Sequence, residues 1–167
     1  MTKKSILTYV LAIFLMIPAM FMLSACGESK PISEKGKTYS VANKQTDITI
    51  HWGDDKATQL EEIGSEQNAI DSFATFSIAF DNDGKAVISA MGRSDESRFY
   101  AISENNVLGF YNTAKDATNG IGKLDYDYYN AEYTFSPDKK VITVKTSISD
   151  ESVAHNSSVV IKLTVNA

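Results

Sequence analysis

An uncharged apolar run near the N-terminus most constrains what this chain can fold into. The run extends from Ile6 to Leu23, follows the basic start Thr2-Lys3-Lys4, and leads into Ser24-Ala25-Cys26. A positively charged start, an apolar stretch and small residues before a cleavage site are typical of an export signal, which is removed from the mature protein. The signal is predicted to be residues 1–25, so the foldable domain has to lie after it.

A permanent transmembrane helix is the alternative interpretation of this run, since about 18 apolar residues can cross a bilayer. Two features argue against it. Pro18 costs a helix interior about 3 kcal/mol in water, although membranes tolerate it better. No basic stop-transfer cluster follows Cys26 directly. Cleavage therefore accounts for the run better than spanning does.

The residues at the end of the run resemble the lipobox of bacterial lipoproteins. Leu23-Ser24-Ala25-Cys26 matches its pattern of an aliphatic residue, two small residues and a cysteine. The resemblance, which covers residues 1–27, implies that a diacylglycerol is attached to the Cys26 thiol and that a peptidase cuts before it. Stable anchoring needs about two acyl chains, which this group supplies. The expected location is the extracytoplasmic face of the cell membrane.

Removal of the signal leaves 142 of the 167 residues, enough for one domain. The removed segment holds two lysines and no acid, so the net charge falls from −5 to about −7. An acidic surface disfavours nucleic acid and anionic lipid headgroups. Cys26 is the single cysteine, so the mature domain has no internal disulfide, thiol catalyst or cysteine metal site.

The segment after Cys26 is polar and contains one proline and two glycines between Gly27 and Lys37. Such a composition favours a flexible linker. We therefore expect residues 26–37 to form the lipidated end and a tether, and residues 38–167 to form the folded domain.

Alternation of apolar and polar residues predicts that most of this domain is β-strand. The clearest hairpin runs from Phe73 to Met91 around a turn at Asp81–Gly84, where Gly84 is free to adopt a positive φ. In its first strand, the side chains of Phe76, Ile78 and Phe80 lie on the same face. The return strand leaves two registers open, with either the even-numbered or the odd-numbered residues inward. Further strands are predicted in Thr38–Ala42, Asp47–Trp52, Arg98–Ser103, Val107–Asn112, Leu124–Phe135, Val141–Ile148 and Val159–Val165.

One segment departs from this period of two and predicts a short helix from Asp54 to Ile63. Asp54 or Asp55 can cap it, and Gly64 can end it. Its apolar stripe consists of residues three apart, Ala57, Leu60 and Ile63. The predicted fold is therefore mainly β, an antiparallel meander of about eight or nine strands with one short helix. A lipocalin-like barrel is the leading architecture because closure hides the sheet edges, and a β-sandwich is the alternative.

Motifs for catalysis or metal binding are weak. The histidines are His51 on a strand and His155 in a loop, and no Gly-x-Ser-x-Gly occurs. Ser136-Pro137-Asp138-Lys139 matches Ser-x-x-Lys but lies between two strands. Asp81–Gly84 fails the EF-hand spacing, and the pair of Asp125 and Asp127 fits a solvated strand face. The sequence thus predicts no catalytic residue, no metal and no cofactor.

Tyrosines gathered on one strand are the remaining ambiguous feature. Plain β-packing explains them, because aromatic residues favour strands, and so does the wall of a binding site. If a ligand site exists, its candidate wall is Trp52, Tyr100, Tyr126, Tyr128 and Tyr133.

Two functional hypotheses follow. The first is a non-enzymatic, lipid-anchored lipoprotein whose barrel binds an apolar small molecule. The alternative is a structural or protein-interaction module of the cell envelope with a solid core and no ligand cavity. Both hypotheses include the membrane among the partners of the protein, which would reach it through the lipid on Cys26.

Overall fold

The structure, a computed structural model, describes residues 34–94, 96–119, 131–148 and 157–166. Within these ranges ten strands form one antiparallel sheet that is nearly closed into a barrel, which confirms the mainly β prediction and its barrel architecture. The strands are β1 (Thr38–Ser40), β2 (Ile48–His51), β3 (Ser77–Phe80), β4 (Lys85–Ala90), β5 (Arg93–Ser94), β6 (Arg98–Ile102), β7 (Leu108–Tyr111), β8 (Glu132–Phe135), β9 (Val141–Ser147) and β10 (Ser158–Val165).

The sheet is mostly built from neighbouring hairpins, and the first and last strands join its two halves. The order is β7-β6-β4-β3-β1-β10-β9-β8, with β2 also paired to β10 and β5 to β4. β1 joins the halves by pairing Tyr39 with both Ile78 and Val165. The two outer strands approach each other through an isolated bridge between Val107 and Thr134. This bridge brings together the two edges that an open sheet would expose, so that the sheet nearly closes into a barrel.

The core lies inside the sheet and follows the predicted alternation. On β4 the buried residues are Ala86, Ile88 and Ala90, which decides the register in favour of the even-numbered residues. The core on the other half of the sheet includes Ile142, Val144, Val159, Ile161 and Leu163, each completely buried. His51 is on a strand, as predicted, and its side chain on β2 is exposed. Apolar burial of this kind is the main favourable term in folding.

Four helices occur among the described residues, so the prediction of one helix was wrong in number. They are α1 (Lys44–Asp47), α2 (Lys56–Ile63), α3 (Glu66–Phe73) and α4 (Ala114–Asn119). α2 is the predicted helix, and Gly64 ends it with φ 91°. Its stripe was partly wrong, because Ala57 is exposed and Gln59 is the buried residue.

The three additional helices begin at side-chain caps. Ser65, before α3, accepts a hydrogen bond from the Asn68 N–H at 3.1 Å. Asn43, before α1, accepts one from the Gln45 N–H at 3.0 Å. Thr113, before α4, accepts one from the Asp116 N–H at 3.2 Å. Such caps satisfy N–H groups that a helix start leaves unpaired, and here they convert segments expected to be loops into helical turns.

Candidate functional site at the Glu34 end of the barrel

The predicted ligand wall is only partly within the described residues. Tyr100 and Tyr133 lie in the core, each 2% exposed. Trp52 follows β2, is half-buried, and has the Lys56 Nζ 5.7 Å from its ring centroid. Tyr126, Tyr128 and the predicted lipidation residue Cys26 lie outside the described residues, as do Asp125, Asp127 and His155.

Two of the predicted wall residues come together around Phe110. Tyr100 pairs with Phe110 across β6 and β7. The Tyr133 ring meets the Phe110 ring edge-on, with centroids 5.2 Å apart. Side chains that line an open cavity keep exposed surface, whereas these two keep almost none. Tyr100 and Tyr133 therefore act as core packing in this conformation.

A polar cluster closes one end of the barrel, and we name it the Glu34 cluster. It consists of Glu34, Lys37, Tyr39, Tyr100 and Lys139. Glu34 is completely buried although it carries a carboxylate. Its Oε2 lies 2.5 Å from the Tyr39 hydroxyl and 3.0 Å from the Lys37 Nζ. A buried charge is tolerated only with such partners, so this contact fixes how the chain enters the barrel.

The turn before β1 holds Glu34 in place. Gly36 has φ 72°, a conformation that glycine adopts without strain. Its N–H donates to the Phe80 carbonyl at 2.9 Å, and the Phe80 N–H donates to the Lys37 carbonyl at 2.8 Å. The last four residues of the predicted tether, 34–37, therefore pack on β3 as part of the folded domain.

Lys139 connects the β8–β9 turn and the β6–β7 turn to the Glu34 cluster. Its main-chain oxygen lies 2.6 Å from the Tyr39 hydroxyl. Its Nζ donates to Asn106 Oδ1 at 2.6 Å and lies 4.7 Å from the Phe135 ring centroid. The turn between β8 and β9 is thereby joined both to β1 and to the turn between β6 and β7.

Four aromatic rings, those of Tyr39, Phe80, Tyr100 and Phe135, pack together next to these polar groups. Tyr39 meets Phe80 and Phe135 edge-on, with centroids 5.7 and 5.6 Å apart. Phe80 in turn meets Tyr100 at 4.6 Å. Edge-to-face contacts at these separations are favourable, so the two tyrosine rings are fixed and their hydroxyls have defined positions.

The two hydroxyls of the cluster differ in their hydrogen bonds. Tyr39 has two oxygen neighbours, whereas the Tyr100 hydroxyl is buried and has no hydrogen-bond partner among the described residues. Burial, followed by the charges of Glu34 and Asp81, raises the pKa of Tyr100 to about 12. Burial and the hydrogen bond to Glu34 raise the pKa of Tyr39 even further. Both tyrosines therefore carry their protons at neutral pH and can donate.

A second polar cluster lies at the opposite end of β10, and we name it the Asp55 cluster. It consists of the buried pair Asp55 and Ser157 together with Gly53. The Ser157 hydroxyl donates to Asp55 Oδ1 at 2.5 Å and accepts from the Gly53 N–H at 2.9 Å. Asp55 occupies the cap position of α2 but makes no side-chain cap hydrogen bond. Its carboxylate instead attaches the start of α2 to β10.

The weak motifs have structural roles. The Ser136 hydroxyl donates to Asp138 at 2.7 Å, while the Lys139 Nζ donates to Asn106, so this Ser-x-x-Lys forms a turn. Asp81 Oδ1 accepts from the Asp83 and Lys85 N–H groups, both at 2.8 Å, which stabilises the β3–β4 turn. Within the described ranges, no three His, Cys, Asp or Glu side chains are grouped as a metal site would require.

Sequence reasoning missed the central residue of the site. Glu34 lies in a polar stretch, and nothing in its neighbours marks it as buried. Tyr39 carried the only usable signal, because a tyrosine on the inward face of a strand needs a partner for its hydroxyl.

These features define a small antiparallel β-barrel with a buried polar cluster at each end of β10. Comparisons with protein-family models, with curated proteins and with solved structures find no match for this chain. None of the helices in the described part of the chain has both the length and the apolar character needed to cross a membrane.

Proposed function

We propose that this protein is an extracytoplasmic lipoprotein, anchored by a lipid on Cys26, whose barrel domain is a non-catalytic interaction module of the cell envelope. The lipobox at the end of the uncharged run carries the proposal. The acidic mature composition supports it, since a surface with net charge of about −7 offers little attraction to anionic headgroups and a lipid would supply the attachment.

Packing of the interior supports an interaction module over a ligand carrier. Tyr100 and Tyr133, the two described core members of the candidate wall, keep 2% of their surface exposed. The second candidate function, binding of an apolar small molecule, is favoured by the nearly closed barrel and by the tyrosines predicted between Leu124 and Phe135. It requires the interior to open before a ligand enters.

Mass spectrometry of the mature N-terminus tests the anchoring. The full chain is expressed in a bacterium with lipoprotein processing and recovered from the membrane fraction. The expected species begins at Cys26 and carries a diacylglyceryl group. Cys26→Ser should abolish both modification and membrane recovery, whereas the control Ser24→Ala keeps a small residue and should leave them intact. An unmodified wild-type chain beginning at another residue contradicts the proposal.

Titration with an apolar fluorescent probe separates the two candidate functions. A packed interaction module predicts no saturable binding by the folded protein. A ligand carrier predicts saturable binding that Tyr128→Ala weakens without loss of the fold. Far-UV circular dichroism reports on the folded state during the titration, because Trp52, the single tryptophan, belongs to the candidate wall and would also respond to binding.

A further inference from the structure

The Glu34 cluster has the composition of a binding site occupied by a side chain of the protein itself. The carboxylate belongs to a turn outside the strands, whereas Tyr39 and Tyr100 belong to β1 and β6. Phe80 on β3 and Phe135 on β8 supply the rings beneath it. The acid and most of the groups that surround it are thus on separate parts of the chain, and can separate without any strand leaving the sheet.

The buried tyrosine without a partner indicates that Glu34 does not use the site completely. Tyr39 contacts the Glu34 carboxylate, while Tyr100, whose ring packs on the same Phe80 ring as that of Tyr39, carries a buried hydroxyl that makes no hydrogen bond to any described residue. An unpaired buried donor is unfavourable, and a carboxylate can accept several hydrogen bonds at once. An acid that is not held by the turn therefore has two buried tyrosine donors at this end of the barrel.

We propose that Glu34 is an internal substitute for a small monocarboxylate, and that the Glu34 end of the barrel binds such an acid when residues 34–36 move away. The acid accepts hydrogen bonds from Tyr39 and Tyr100, and its short apolar tail lies against Phe80 and Phe135. The Lys37 ammonium, which is half-exposed, stands beside the carboxylate. This site goes beyond the proposed envelope role and does not depend on lipid anchoring.

Removal of the Glu34 side chain provides the direct test. Glu34→Ala lacks one methylene and the carboxylate, which together correspond closely to acetate. The full chain, purified in a non-ionic detergent, is heated in sodium acetate, with sodium chloride and acetamide as controls for ionic strength and shape. Acetate should raise the Tm of Glu34→Ala in a saturable way, and the controls should not. The added Tyr100→Phe change should weaken the apparent acetate affinity about ten-fold or more, as expected for a hydrogen bond to a charged group.

The wild-type chain supplies a second test that does not depend on how Glu34→Ala folds. Binding of acetate must displace the turn, so trypsin should cleave after Lys35 and Lys37 faster in acetate than in chloride. Tyr100→Phe should remove most of this acceleration. A folded Glu34→Ala whose Tm responds equally to acetate and chloride overturns the proposal. If that variant does not fold, equal cleavage rates in the wild-type chain overturn it.

Discussion

At each end of β10 a hydroxyl contacts a buried carboxylate, but only the Glu34 cluster also holds a buried hydroxyl donor without a partner among the described residues. In the Glu34 cluster a tyrosine hydroxyl contacts a buried carboxylate from the turn before β1. In the Asp55 cluster a serine hydroxyl donates to a buried carboxylate from the start of α2. Each contact joins a segment outside the sheet to the barrel, over a sequence separation of 5 residues in the first case and 102 in the second.

The difference between the ends lies in the groups around each pair. Ser157 both donates and accepts, so its hydroxyl is engaged on both sides. The Glu34 cluster adds Tyr100, a buried hydroxyl without a partner among the described residues. A site in which every donor is engaged only stabilises the fold, whereas one with an unused buried donor can also receive a ligand. The comparison therefore supports a structural role for the Asp55 end and the proposed binding role for the Glu34 end.

The largest effect is expected for Tyr39→Phe. It keeps the ring contacts with Phe80 and Phe135 but removes the Tyr39 hydroxyl from the buried Glu34 carboxylate. Because hydrogen bonds to charged groups contribute about 1.5–3 kcal/mol, the free energy of unfolding should fall by that amount. Urea denaturation of the full chain measures it. A loss below about 0.5 kcal/mol, typical of a surface position, would mean that this contact does not hold the Glu34 end.

At the opposite end, Ser157→Ala should lower the free energy of unfolding by about 1–2 kcal/mol, because Asp55 and the Gly53 N–H each lose a partner. The matched control is Ser158→Ala at the next, half-buried position of β10. That control should change the stability by no more than about 0.5 kcal/mol. Equal effects of the two substitutions in urea denaturation would remove the Asp55 end from the comparison.

The dependence of stability on alkaline pH should reveal the role of Tyr100 at the Glu34 end. The pKa of Tyr100 is raised from 10.0 to about 12, so the unfolded chain loses this proton at a lower pH than the folded chain does, and stability falls as the pH rises from 10 towards 12. The stability of the wild-type chain should therefore fall more steeply across this window than that of Tyr100→Phe. Denaturation of both chains below pH 10 and at about pH 11 measures the difference. A difference that is the same at both pH values contradicts this role of Tyr100.

The smallest effect at neutral pH is expected for Tyr100→Phe, which, unlike Tyr39→Phe, should not lower the free energy of unfolding. It removes a buried hydroxyl that has no partner while the ring stays against Phe80. We expect the free energy of unfolding to stay unchanged or to rise by up to about 1 kcal/mol. A loss of more than about 1 kcal/mol in the same urea assay would indicate a partner for this hydroxyl.

The fold could be predicted from the sequence to the extent that it depends on alternation. Phe76, Ile78 and Phe80 face the core as expected, because the period of two leaves one choice of inward face. The additional helices were missed because they are short and their apolar residues are sparse. Their caps at Asn43, Ser65 and Thr113 were visible in the sequence, but capping residues also occur in turns.

The site could be predicted much less completely. Tyr100 was selected for its ring, whereas its importance comes from a hydroxyl left unpaired by the surrounding strands. Glu34 was assigned to a solvated tether because its segment is polar. Its burial depends on Tyr39, Lys139 and Phe80, which the sheet brings to one end from distant positions in the chain. Composition and residue spacing do not predict that residues so distant in sequence come into contact.

A double-mutant cycle between Glu34→Ala and Tyr39→Phe tests the central claim most directly. If the carboxylate and the hydroxyl close the barrel as a pair, the free-energy losses of the single variants will not add. Their coupling should reach about 1.5–3 kcal/mol, within the range seen for residues in direct contact. Additivity within about 0.5 kcal/mol would show that the two side chains act independently and would contradict the account.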